Sequence, residues 1–102
     1  MTDHTELWET VRSIPSGRVA SYGNVGRSLS SPTSGYFVGR WMADCPDDVP
    51  WWRVVAKDGR LPVWKKDPDL EVLQIQRLEA EGVGVVNGCV DMARFEEDLL
   101  VY

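Results

Sequence analysis

Ser21-Tyr22-Gly23-Asn24-Val25-Gly26-Arg27-Ser28-Leu29-Ser30-Ser31-Pro32-Thr33-Ser34-Gly35-Tyr36-Phe37-Val38-Gly39-Arg40-Trp41 is the stretch on which the fold turns. Serine is a helix-capping residue, and Val25 and Leu29 lie one helical turn apart. A short helix is therefore predicted from Tyr22 to Leu29, capped by Ser21, with that pair inward. Ser31-Pro32 is a second start signal, an N-cap residue followed by proline at the first helical position. The helix it opens is predicted to run to about Asp44 and to carry Tyr36, Phe37, Val38, Trp41 and Met42. Gly35 lowers its propensity by about 1 kcal/mol relative to alanine. Two short helices joined by a tight serine-rich turn make a helix-turn-helix pattern.

On the N-terminal side, Asp3 and Glu6 read as a helix start, with Leu7, Trp8, Val11 and Ile14 forming its apolar face. Pro15-Ser16-Gly17 ends that helix, and Val19-Ala20 is an extended link. On the other side, Pro50 to Val55 is aromatic and β-branched and reads as a strand. Lys57-Asp58-Gly59 is a turn, and Leu61 to Trp64 is the returning arm of a hairpin wing. A helix is predicted from Asp67-Pro68 through Glu81, with Leu70, Leu73 and Leu78 in the core and Gly82 as its stop. Val83 to Val86 and Cys89-Val90 flank an Asn87-Gly88 turn as a second hairpin. An acidic tail follows. The fold class is thus mainly α with small β-hairpins, a single winged helix-turn-helix domain over residues 1–102.

At 102 residues the chain has room for one modest core. The net charge of −5 is unevenly distributed. Thr10 to Lys66 holds nine Lys and Arg against four acids, whereas Asp67 to Tyr102 holds two against nine. A basic first two-thirds with an acidic end is compatible with one nucleic-acid face. No apolar run approaches the roughly 20 residues that span a bilayer, and the first residues do not resemble a signal peptide. A cytoplasmic protein without membrane contact is expected, with Cys45 and Cys89 as free thiols packed like small hydrophobes. One histidine, His4, and two cysteines without ligand spacing give no expectation of a metal site, and no cofactor is expected.

Four segments, in order and suitably spaced, carry a family resemblance. Ile14-Pro-Ser-Gly-Arg-Val-Ala-Ser-Tyr-Gly23, Val38-Gly39, Pro50-Trp51-Trp52-Arg53-Val54-Val55 and Leu78-Glu-Ala-Glu-Gly-Val83 resemble the C-terminal domain of the O6-alkylguanine-DNA alkyltransferases. Trp51 stands where that family has its nucleophilic cysteine, so the chain is most similar to the alkyltransferase-like branch. Alkyl transfer needs a thiolate, which the family activates with the next residue, a histidine. Here that residue is Trp52, and an indole supplies neither a nucleophilic lone pair nor a general base. The resemblance implies no enzyme and no catalytic residue.

It implies instead a monomer that binds double-stranded DNA carrying O6-alkylguanine and reads the minor groove through the helix-turn-helix. The lesion would be rotated into a pocket and flagged for nucleotide-excision repair proteins. Tyr22, Trp51, Val54 and Trp64 are the implied lesion pocket, with Trp51 and Trp52 on opposite faces of a strand. Tyr22, Tyr36, Gly39, Arg40 and Arg53 are the implied DNA-binding residues. Tyr36 occupies the position of the family's intercalating arginine, and Arg40, four residues on, shares its helical face. Lys57, Arg60, Lys65 and Lys66 add phosphate contacts. The alternative left open by the acidic total is a protein-interaction module on a retired DNA-binding fold.

Overall fold

The computed structural model describes residues 4–46, 48–61 and 68–99. Asp3, Trp64, Lys65 and Lys66 therefore lie outside the described residues, as does most of the returning arm from Leu61 to Trp64. In chain order the elements are α1 (Thr5–Arg12), β1 (Ala20–Ser21), α2 (Tyr22–Ser28) and α3 (Gly35–Trp41). A 3₁₀ turn over Met42–Asp44, another over Trp51–Arg53 and β2 (Val54–Val55) follow. The chain continues with α4 (Pro68–Ala80), β3 (Val85–Val86), β4 (Cys89–Val90) and α5 (Met92–Phe95).

Local rules account for most boundaries. The Ser21 side chain accepts the Asn24 amide at 3.2 Å and caps α2 as expected. Gly82 stops α4 with φ +87°, and Asn87 and Gly88 take φ 54° and 73° in the turn between antiparallel β3 and β4. Two successive positive φ values define the type I′ turn that suits a two-residue hairpin.

Two expectations are corrected. The helix that was to open at Pro32 opens at Gly35, because Thr33 donates its amide to the Gly26 carbonyl at 3.1 Å and holds the linker extended against α2. Gly35 is then the first helical residue rather than an interior one. A Cβ there would sit 3.1 Å from the Tyr22 Cβ, so the glycine serves close helix packing. Secondly, Pro50 to Val55 is not one strand, since residues 51–53 wind into a 3₁₀ turn before β2. Among the described residues, β2 pairs with an earlier strand. It runs parallel to β1, with Ala20 opposite Val54 and Ser21 opposite Val55. Arg60 instead bridges Cys89, and the Leu61 amide donates to the Gly88 carbonyl.

Two apolar clusters divide the interior. The first joins Leu7, Val11, Ile14, Val25, Val38, Met42, Trp51 and Val54. The second joins Val19, Val55, Leu61, Leu78, Val83 and Val90. Val19 and Ala20 at β1 and Val54 and Val55 at β2 thus face alternate cores, as strand geometry requires. Beyond α5, Val19 pairs with Glu96, the Glu97 amide donates to the Val19 carbonyl at 2.7 Å, and Asn24 Nδ2 donates to the Glu97 carbonyl at 2.9 Å. The acidic end is thereby strapped across β1 and α2. No described helix is long and apolar enough to cross a membrane.

Candidate nucleic-acid interface

Helix α3 packs on α2 through Val38, which is fully buried. Gly26 on α2 permits that approach, because a Cβ there would collide with the Thr33 carbonyl and sit 3.2 Å from Val38 Cγ2. With Val38 inward, the positions around Tyr36, Gly39 and Arg40 face out. Tyr36 is 67% exposed and Arg40 is exposed. A Cβ placed on Gly39 would meet nothing within 4 Å. Internal packing therefore explains Gly26 and leaves Gly39 without an internal reason. The helix carries Arg40 and no acid, and no described salt bridge engages that arginine. Beside this face runs a line of rings. Phe37 lies 5.4 Å from Tyr36, Trp41 stacks 6.0 Å from Phe37, and His4 lies 4.9 Å from Trp41.

The turn at residues 51–53 is built differently. Trp51 is 5% exposed and Val54 is fully buried, so both are core side chains. Both were implied as pocket walls, and the 3₁₀ turn directs Trp51 into the first core. Tyr22, half-buried, packs against that same cluster. Trp51 and Trp52 meet edge to face at 6.0 Å rather than pointing apart across a strand.

Trp52 donates its indole N–H to Glu81 at 3.1 Å. Arg53 donates Nη2 to Glu81 at 2.6 Å, Nε to the same carboxylate at 3.0 Å, and Nη1 to the Ile14 carbonyl at 2.9 Å. The donors of Arg53 thus join the end of α1, the turn and the end of α4. The Arg77 guanidinium sits over the Trp52 ring at 4.7 Å from its centroid. From α4, Gln74, 1% exposed, donates Nε2 to the Trp52 and Val54 carbonyls at 3.1 and 3.4 Å. Burial alone would raise the pKa of Glu81. Hydrogen bonds from Arg53 and Trp52, the charge of Arg53 and the Gly17 amide outweigh it and hold the carboxyl below the ordinary glutamate value.

Sequence reasoning missed Glu81, Gln74 and Arg77. Glu81 lies within a family-like segment, but its pairing with Arg53, 28 residues away, has no local signature. Of the two thiols, Cys45 is buried, whereas Cys89 is half-exposed with Sγ 3.4 Å from the Asp58 carbonyl, so only Cys45 packs as expected. Lys57 and Arg60 are exposed, and Arg60 pairs with Asp58 at 3.3 Å. A groove of about 570 Å³ beside Val86, Val90, Arg94 and Phe95 belongs to the second core and includes none of the α3 residues.

This chain is similar to known proteins in sequence and in fold. The model of the 6-O-methylguanine DNA methyltransferase DNA binding domain matches residues 3–83. The DNA base-flipping protein of Escherichia coli (strain K12) is 37% identical over 92 residues, covering 87% of this chain and 69% of its own length. Alkyltransferase-like protein 1 of Schizosaccharomyces pombe is 34% identical over 85 residues, covering 80% of this chain and 77% of that one. A crystal structure of S. pombe Atl1 in complex with damaged DNA containing O6-carboxymethylguanine superposes with a TM-score of 0.81 at 28% identity, over 95% of this chain and 98% of that one. With the family model spanning most of its length, this chain belongs to the family of 6-O-methylguanine DNA methyltransferase DNA binding domains.

Proposed function

We propose that this protein binds DNA carrying O6-alkylguanine without transferring the alkyl group. The observation that carries this reading is the outward face of α3. Tyr36 is 67% exposed, Gly39 opens onto empty space, and Arg40 has no acidic partner among the described residues. A helix face with a bare backbone, an aromatic and a cation unpaired with any described acid matches a minor-groove floor flanked by phosphates. The similarity to a base-flipping protein and to a protein solved with damaged DNA supports the same reading.

The flipped base is received at the 51–53 turn, with Trp51 as its floor and Tyr22 at its side. Stacking on an aromatic is worth about 1–3 kcal/mol per base, against an extrusion cost of a few kcal/mol that is least for a weakly paired lesion. At 5% exposure Trp51 is not an open platform in the DNA-free chain, so opening accompanies binding. Catalysis is lost because Trp51 and Trp52 replace the nucleophile and its base. Trp52 keeps a place in the scaffold as a donor to Glu81. The bound lesion is then displayed to repair proteins by a single protein copy in the cytoplasm.

Anisotropy titrations with duplexes containing O6-methylguanine or guanine test this reading. Tighter binding of the lesion duplex is expected, by about tenfold or more, with no label moving from DNA to protein. Equal, weak binding to both removes lesion sensing, and negligible affinity even at low salt returns the protein-interaction alternative.

A further inference from the structure

One stripe of α4 and its C-terminal end faces the turn at residues 51–53, and three of its residues hold different parts of Trp52. Gln74 donates to the Trp52 backbone carbonyl, Arg77 covers the face of the ring, and Glu81 accepts the indole N–H. Positions 74, 77 and 81 follow the i, i+3, i+7 spacing of one helical face. Arg77 reaches further than the other two. Its Cζ lies 4.7 Å from the Trp52 ring centroid and 5.8 Å from that of Trp51. Arg53 also lies over Trp52, at 5.6 Å, so among the described residues Arg77 is the cation shared by both indoles. The two rings meet each other edge to face at an interplanar angle of 85°. Arg77 is half-buried, and none of the described salt bridges engages it.

We infer that Arg77 is the positioning residue for Trp51. Resting on the lesion-binding reading above, this names what sets the plane of the floor on which an extruded base stacks. The second side-chain torsion of tryptophan is broad, so neighbours must choose the plane of the ring. Contact with Trp52 alone leaves that choice open, because aromatic pairs accept offset as well as edge-to-face arrangements. A guanidinium attracted to both ring faces removes the freedom, since turning either ring away gives up one cation–π contact. Its planar fork suits this better than the point charge of an ammonium. Trp52 is itself anchored by Gln74 and Glu81, so Arg77 relates Trp51 to a fixed reference on α4. The consequence falls on selectivity. An undamaged duplex keeps its bases stacked and gains little from the floor, whereas a weakly paired lesion is extruded and stacks on it. A misaligned floor therefore weakens lesion binding and leaves the α3 face as it was.

Arg77→Leu keeps an apolar stem in place and removes the guanidinium. The full chain carrying it is titrated against duplexes containing O6-methylguanine or guanine. Its indole N–H signals are followed by NMR, with Trp51→Phe identifying that of Trp51. The preference for the lesion duplex is expected to fall by about tenfold, with binding of the guanine duplex unchanged. The Trp51 signal should move and broaden, while that of Trp52 keeps the slow solvent exchange of its hydrogen bond to Glu81. Arg77→Lys retains the charge without the planar fork and should lose about threefold in preference. Trp52→Phe leaves a ring beneath Arg77 and should keep most of the preference.

An Arg77→Leu variant that folds, keeps the Trp51 signal and keeps the preference overturns the inference. Equal losses on both duplexes do so as well, since they mark a general loss of structure and not a tilted floor. Should the leucine variant fail to fold, Arg77→Lys decides, and an unchanged preference with an unchanged Trp51 signal is the overturning result. A wild-type protein with no preference for the lesion duplex refutes the lesion-binding reading instead. The Trp51 signal in Arg77→Leu then still reports whether Arg77 holds the ring, which keeps the two failures apart.

Discussion

The outward face of α3 and the turn at Trp51–Arg53 are both rich in aromatic and cationic groups, yet the chain accounts for them in opposite ways. At the turn, each group has an internal partner: Trp51 the first core, Trp52 and Arg53 the Glu81 carboxylate. On α3, Tyr36 and Arg40 touch each other, and a Cβ added at Gly39 would meet nothing within 4 Å. Composition alone would have ranked the tryptophan pair as the more suggestive feature. Partnership reverses that order, because a group without an internal role is where an external one is to be sought. The pair of glycines makes the same point, since Gly26 is required by a neighbouring carbonyl and Gly39 by no neighbour.

This contrast can be broken by mutation, beginning with the largest effect on folding. Gly26→Ala forces the α2–α3 contact apart, and a loss of about 3 kcal/mol is expected in urea unfolding, typical of overpacking at a close contact. Glu81→Gln removes the charge that Arg53 pairs with while keeping the shape. A loss of about 2 kcal/mol is expected, the scale of hydrogen bonds to a charged group. The same residue sets a pH dependence. Because the folded Glu81 carboxyl titrates below its ordinary value, its contribution is fully present above the unfolded value, about 4.3. It is lost as pH falls from there through the folded value. Glu81→Gln should flatten that part of the stability–pH curve; an unchanged curve would place the acid sensitivity elsewhere. Trp52→Phe keeps an apolar ring but loses the indole donor, and about 1 kcal/mol is expected, with the α3 face and its DNA affinity little affected.

Much of this was readable from local chemistry. Ser21, Gly82 and Asn87-Gly88 each mark their element through a capping oxygen or a tolerance of positive φ, and such rules act within a few residues. The helix-turn-helix followed from two short helices joined by a serine-rich turn. What escaped reading depends on distant partners. Pro50 to Val55 has strand composition, but Gln74 and Glu81 hold it as a turn from α4, and β2 pairs with β1 some thirty positions earlier. The late start of α3 depends on one amide, from Thr33 to the Gly26 carbonyl seven residues earlier in the preceding helix. For the candidate site, the residue positions came from the family-like segments. Burial of Trp51 and the pairing of Arg53 with Glu81 needed the three-dimensional arrangement.

Gly39 offers the most direct test, since it carries the smallest expected effect on folding and a large one on binding. Gly39→Leu is to be compared with the wild type by urea unfolding and by anisotropy titration on a duplex containing O6-methylguanine. Stability should be equal to the wild type or higher by up to about 1 kcal/mol, the helix-propensity gain over glycine, while affinity falls by about tenfold or more. A stable Gly39→Leu variant that binds the lesion duplex as tightly as the wild type would contradict the assignment of the α3 face to DNA.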